Sequence, residues 1–305
     1  MRTRSAYDSW SRIVVLFDRG APLDEVRTEA EKALTVATNS ELELAAELIA
    51  GPLRLTRTLL GITPKFGSFD EAGFDEARHE QGLETKPLLA YAAARYWVRK
   101  LQARFFAEDY GTALAAAGKA QALIGSRHPI LGAAEYHFYA GLARAARAPD
   151  ASAAYEDLPL IAAHHAQLHV WAEKRAASFA DRAALLGAEL ARLTRREVDA
   201  ERLYAEAIQL SREHGYVQNE ALGHELLARF HAEHGRGVLS DACFHAARVC
   251  YERWGAVGKL RQLDQNQLGA DVWQDDYVDF SEEFGAAQGF AGGSGFDHDE
   301  FDRWT

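Results

Sequence analysis

The sequence is poor in cysteine and proline and has no long apolar run, and each lack excludes something. Only two cysteines, Cys243 and Cys250, occur in 305 residues, on a single predicted helix. At ~1.5 Å of rise per residue they stand roughly 10 Å apart along its axis, too far for a mutual disulfide. They read as small core residues, with a metal or redox pair as the competing reading. Prolines number 7, and few segments alternate apolar and polar residues, so extended strands have little support. No stretch approaches the ~20 apolar residues that span a bilayer. The first residues, Met1 to Trp10, lack the apolar core of a signal peptide. The expectation is a cytoplasmic protein with no membrane insertion.

An excess of basic charge is missing too. The formal net charge is −11, and from Asn266 to Thr305 ten acids stand against Arg303 alone, so that tail carries −9 and residues 1–265 only −2. Neither part has the basic stripe of a nucleic-acid surface, and no nucleic-acid partner is expected. Catalytic motifs are likewise absent. The nearest approach to a phosphate loop, Gly111 to Gly118-Lys119-Ala120, has the wrong spacing, lacks Ser or Thr after the lysine and falls inside a predicted helix. The glycine-rich stretch 289–295 follows no strand and reads as a flexible joint. There is no kinase catalytic loop, nucleophile elbow or His-Glu-x-x-His. His165 and His169 lie at i, i+4, and His224, His231 and His234 share part of a helical face, spacings a metal could use. No carboxylate or cysteine joins them in a ligand pattern, so ordinary surface or interhelix histidines are expected. No catalytic residue, metal or cofactor is assigned.

What is present is helical punctuation. With 48% hydrophobic residues and abundant alanine, the chain is long enough for a substantial all-α core. Gly215, Gly235 and Gly255 recur every 20 residues, each closing an amphipathic stretch. Glycine just past such a stretch is a helix stop, because it takes the left-handed conformation without a Cβ penalty. A beat of helix plus turn at this period makes a roughly 40-residue hairpin, and hairpins in series make a solenoid. The reading is a right-handed, tetratricopeptide-like solenoid of antiparallel helix hairpins over 1–265, with a loop insertion at about 61–87.

Helices are expected over 7–17, from Pro22 at the first helical position to 37, and over 40–60, 88–106, 112–124, 130–147, 152–175, 180–194, 197–213, 216–234, 237–254 and 256–265. Ala200, Tyr204 and Ala207 fit the small-residue packing positions of a second helix, as do Ala113, Ala117 and Ala120, and Trp97 falls where a first helix places its tryptophan. The stretch Thr63 to Asp70 carries two phenylalanines that would pin it.

Two surfaces are candidates for partner binding. On 88–106, Trp97 and Leu101 face the core, which leaves Arg95, Arg99 and Gln102 on the other side. First helices line a solenoid's concave face, so these three, extended by Tyr136, His137 and Tyr139, form a patch receptive to acidic segments; solvated helix charges are the competing reading. The tail 266–305 interleaves its acids with Trp273, Tyr277, Phe280, Phe284, Phe290, Phe296, Phe301 and Trp304. Such a segment docks on a partner's basic groove or on the chain's own concave surface, or else is a solvated end.

Several stretches then carry a resemblance: Thr63-Pro64-Lys65-Phe66-Gly67-Ser68-Phe69, Trp97 through Phe106, Ala134-Glu135-Tyr136-His137-Phe138-Tyr139, Asn219-Glu220-Ala221 and Tyr251-Glu252-Arg253-Trp254-Gly255-Ala256. In this order they resemble the helical-repeat region of very large bacterial signalling proteins. Those carry a serine/threonine-kinase-like domain, a predicted NTPase domain, this repeat region, a GAF domain and a histidine kinase. The resemblance covers roughly residues 20–265. None of the catalytic segments is in this chain, so no catalytic residue carries over. What the resemblance implies is a non-catalytic interaction scaffold or regulatory module in bacterial signalling, with a protein partner of the kinase or NTPase type. The alternative is a small-molecule-sensing helical-repeat module, which predicts a buried polar pocket near Arg99, His137 and Tyr139.

Overall fold

The structure, a computed structural model, describes residues 2–124, 132–147 and 156–266. The chain forms two units, 1–262 and 263–305; of the second only 263–266 are described, and they are helical. The tail residues Trp273, Tyr277, Phe280, Phe284, Phe290, Phe296, Phe301 and Trp304 lie outside the described residues. The first unit is all-α. Its helices are α1 (Arg2–Asp18), α2 (Leu23–Asn39), α3 (Glu43–Leu59), α4 (Glu76–Glu84), α5 (Ala90–Phe106), α6 (Tyr110–Ile124), α7 (Ala133–Arg147), α8 (Leu158–Lys174), α9 (Ala176–Leu193), α10 (Glu197–His214), α11 (Val217–Glu233) and α12 (Gly237–Trp254). A 3₁₀ turn, Pro87–Leu89, precedes α5, and a further helical stretch begins at 257. An isolated bridge between Glu71 and Phe74 is the β-pairing found among the described residues. No helix among them is long and apolar enough to cross a membrane.

The helix ends follow local chemistry. α10 has Glu197 and Asp199 in its first turn and Arg212 and His214 in its last, charges that complement the helix dipole. Gly215 then ends it in the left-handed region at φ 77°, and Gly255 ends α12 at φ 85°. The same backbone recurs after α2, α5 and α9 at Glu41, Glu108 and Arg195, where no glycine marks it. Pro22 stands at the N-cap of α2, one residue before the first helical position. Its carbonyl accepts from the amides of Glu25 and Val26 at 2.9 and 3.2 Å.

Consecutive odd-numbered helices α1, α3, α5, α7, α9 and α11 touch one another as well as their even-numbered neighbours. They form the inner layer. α5 shows the consequence: its residues from Tyr96 to Ala103 are all buried, so it has no solvated face there. Ala200, Tyr204 and Ala207, together with Ala113, Ala117, Ala120 and Trp97, are buried.

The stretch expected to be a loop over 61–87 contains α4. Asp75 caps that helix by accepting from the Arg78 amide at 2.8 Å. Phe69 is buried and meets Tyr96 edge-on at 5.7 Å, while Phe66 is half-buried. Glu76 fastens the segment to α5: it accepts from the Phe69 amide at 2.9 Å and from Arg104 at 2.9 Å, and pairs with Lys100 at 2.7 Å.

The later helices pack back on the first ones. Trp254 lies 5.8 Å from Phe17 and 6.0 Å from Phe106, ring to ring. Arg229 donates to Glu108 at 2.5 Å and to the Tyr110 hydroxyl at 3.1 Å. Lys259 donates to Glu225 at 2.9 Å and to the Phe106 carbonyl at 3.3 Å. Gly258 allows this approach, since a Cβ there would stand 2.5 Å from the Thr58 carbonyl oxygen.

Candidate functional site

Between α1, α7, α8 and α9 lies a cavity of about 670 Å³, lined among others by Asp18, Arg19, Glu135, Trp171, Lys174, Arg175, Phe179, Arg182 and Tyr216. Each lining residue comes from an element end or an inner helix. Asp18 and Arg19 close α1, Glu135 stands in the first turn of α7, and Lys174 with Arg175 forms the turn between α8 and α9. Arg182 rises from the buried face of α9, and Tyr216 stands at the N-cap of α11.

The floor is charged and almost dry. Arg182 donates to Glu135 at 3.4 Å and lies 3.6 Å from Asp181, with side chains 7%, 10% and 3% exposed respectively. Asp181 accepts from Asn219 at 2.7 Å and from Ser211 at 3.4 Å. Asp18 pairs with Arg99 at 3.5 Å, and Arg99 donates to Gln102 at 2.8 Å. Removing charges from water costs several kcal/mol per ion unless each finds a partner, and the alternation of arginine and carboxylate supplies those partners.

The two carboxylates that reach the cavity titrate differently. Burial, reinforced by the negative charge of Glu135, pushes Asp18 up to about 6 against the opposing pull of Arg99, Arg182 and Arg95. Burial works against Glu135 as well, but Arg182 and then Arg99 outweigh it and hold its carboxyl below the usual range. Burial raises both acids; their mutual repulsion and unequal pairing with arginine drive the two proton affinities apart.

The walls are aromatic. Trp171 and Phe179 meet at 5.8 Å, and the Arg182 guanidinium lies 5.4 Å from the Tyr216 ring centre. Above them Arg19, Lys174 and Arg175 are exposed and have no ion-pair partner among the described residues. The lining thus holds four cations and two carboxylates, with the surplus positive charge at the mouth.

The residues assigned from the sequence to a concave patch are brought together, in a different setting. Arg99, Gln102, Tyr136 and Tyr139 are buried, and Arg95 and His137 are half-buried. Tyr139 bonds to Gln102, which continues the chain from Asp18 through Arg99. Arg95 lies over the Trp10 ring at 5.7 Å. The expected free face of α5 is absent because α1, α3 and α7 cover it. His137 meets His164 at 2.9 Å between Nδ1 atoms and Trp171 at 5.5 Å between rings. Burial lowers both histidines to about 4, with the His137 charge adding to the effect on His164, so the pair is neutral at physiological pH.

The histidines first singled out by spacing sit apart from this site. His165 and His169 stack at 6.1 Å, and His234 pairs with Glu197 at 3.4 Å. Among the described residues no three metal-ligating side chains converge. Both cysteines are free thiols, and burial raises Cys250 to about 11. Sequence reasoning passed over Asp18, Glu135, Asp181 and Arg182. The signal available was a charge set within an apolar helical stripe, as in Ala134-Glu135-Tyr136 and Asp181-Arg182-Ala183.

Comparison of the chain with protein-family models, curated proteins and solved structures gives no match.

Proposed function

We propose that this chain is a non-catalytic regulatory module, a right-handed tetratricopeptide-like stack of antiparallel helix hairpins that senses a small molecule. The succession of inner-helix contacts from α1 to α11 supports the stack. Its setting is bacterial signalling, which is what the resemblance implies. The observation that carries the sensing role is the cavity of about 670 Å³ set in the inner layer beside the buried pairs Arg182–Glu135 and Arg99–Asp18. Small-molecule sites have roughly 300–1,000 Å³ and are mostly apolar with a few placed polar groups, and this one fits that description. Its walls come from four helices and the start of α11, so occupancy ties α1 and α7 to α8 and α9.

The experiment is equilibrium dialysis of the full chain against a bacterial small-molecule extract, with bound compounds read by mass spectrometry. Ser178→Trp, which places an indole in the cavity, is the control. A compound retained by the wild type and lost from S178W supports the reading; equal retention by both contradicts it.

A protein-binding scaffold is the second reading, with a kinase- or NTPase-type partner. Val198 and Val238, each 84% exposed, occupy the second position of α10 and of α12. An apolar side chain repeated at the same place in successive hairpins suits contact with a partner helix. Retention of such a partner by the wild type and its loss from V198D/V238D would favour this reading.

A further inference from the structure

We infer that the cavity between α1, α7, α8 and α9 takes a small organic anion with an aromatic body. Its anionic group would sit at the mouth against Arg19, Lys174 and Arg175, and its ring would lie between Trp171, Phe179 and Tyr216. The inference rests on the sensing role proposed above and adds the chemical class of the ligand.

Three features fix that class. The mouth cations have no ion-pair partner among the described residues, whereas the floor arginine Arg182 is engaged by Glu135 and Asp181. Uncommitted positive charge is therefore at the entrance, and a carboxylate or sulfonate there gains charge-assisted hydrogen bonds with little of the cost of full burial. The walls present three rings, the geometry that favours offset or edge contact with another ring over contact with an aliphatic chain. At the floor Glu135 and Asp18 are acceptors, which suits a ligand hydroxyl or amide N–H at the end away from the anion.

The same features argue against a peptide. An extended segment needs a channel running on either side of the pocket. Along the inner layer Arg99, Gln102, Tyr136 and Tyr139 are buried, so among the described residues these side chains leave no open groove across α5 and α7. A ligand whose cation enters first is disfavoured as well, because it must pass the three mouth cations.

The test is calorimetric titration of the full chain with 1-naphthoate, 1-naphthamide and 1-naphthylmethylamine, three probes of one shape and different charge. An N-acetylated acidic aromatic tripeptide is titrated alongside them. The acid is expected to bind saturably and about 10-fold or more tightly than the amide, a difference typical of one charge-assisted contact. Lys174→Glu/Arg175→Glu is expected to reduce the acid's affinity by at least about 10-fold while leaving the amide's unchanged. Since both positions are exposed, the variant's melting temperature should match the wild type, which separates lost contact from lost fold. Tighter binding of the amine or amide, with S178W abolishing it, overturns the ligand class and leaves the sensing role standing. Tighter binding of the tripeptide overturns the small-molecule assignment. No saturable binding of any probe at millimolar concentration overturns both.

Discussion

Asp18, the last residue of α1, and Arg99, in the middle of α5, face each other at 3.5 Å, yet their side chains differ in exposure, at 22% and 3%. The aspartate reaches the cavity and the arginine does not. Asp18 therefore joins the cavity to a buried chain of partners, Arg99, Gln102 and Tyr139, that runs through the inner layer.

That relationship sets a pH dependence. Asp18 titrates at about 6 in the folded protein against an ordinary 3.8, through burial and then Glu135. Between those values the folded chain holds a proton that the unfolded chain has released, so stability falls as pH rises through the window. Solvent at the partly exposed side chain screens part of the effect, which leaves on the order of 1–2 kcal/mol. Urea midpoints at about pH 4.5 and pH 7 should drop more for the wild type than for Asp18→Asn. Parallel drops would show that Asp18 is not the group responsible.

At lower pH the sign reverses. Glu225 and Glu76 both titrate near 2; burial opposes their ionisation but is outweighed, in the first by Lys259 and Arg229, in the second by Lys100, the Phe69 amide and Arg104. Their contribution is present above their ordinary value of 4.5 and is lost as pH falls from there toward 2. Glu225→Gln should flatten the acid-unfolding curve in that window, followed by circular dichroism. An unchanged curve would mean that Glu225 is not held ionised by Lys259.

Lys259 ties the segment after α12 to α5 and α11, and its side chain and that of Glu225 are 2% and 3% exposed. Removing one partner of a buried pair leaves the other uncompensated and typically costs about 3–5 kcal/mol. Arg229 still neutralises Glu225 here, so Lys259→Met should lose about 2–3 kcal/mol by equilibrium denaturation. A loss below about 0.5 kcal/mol would place the pair in the class of surface bridges.

Gly215 offers a purely conformational test. Nothing lies within 4 Å of a Cβ added there, and its φ is +77°. Gly215→Ala should cost about 1–2 kcal/mol through the left-handed backbone alone. Gly215→Asn should cost less, because asparagine tolerates that region. Equal costs for the two variants would point to contacts instead.

Much of the helix pattern was legible because it rests on local chemistry. Gly215, Gly235 and Gly255 announce their stops, and predicted boundaries such as 237–254 agree with α12. Where the same turn is built on Glu41, Glu108 or Arg195, the residue type gives no warning, since the left-handed conformation is imposed by packing. α4 was hidden for a similar reason: it is short, begins at an Asp75 cap, and is held by Glu76 reaching Lys100 and Arg104 of another helix. The site was less legible still. A single helix suggests that Arg99 and Gln102 are solvated because they oppose Trp97; only the packing of α1 and α7 on that side reveals them as buried. Asp18 and Glu135 come together from positions 117 residues apart, a proximity that no local spacing encodes.

The most direct test of the sensing account is the melting temperature of the wild type and S178W, each measured after dialysis and again with a bacterial small-molecule extract. Ligand that binds only the folded state stabilises it by about 2.7 kcal/mol at 100-fold excess over its dissociation constant. The account predicts a rise of several degrees for the wild type and none for S178W. An equal rise in both proteins, or no rise in either, would contradict it.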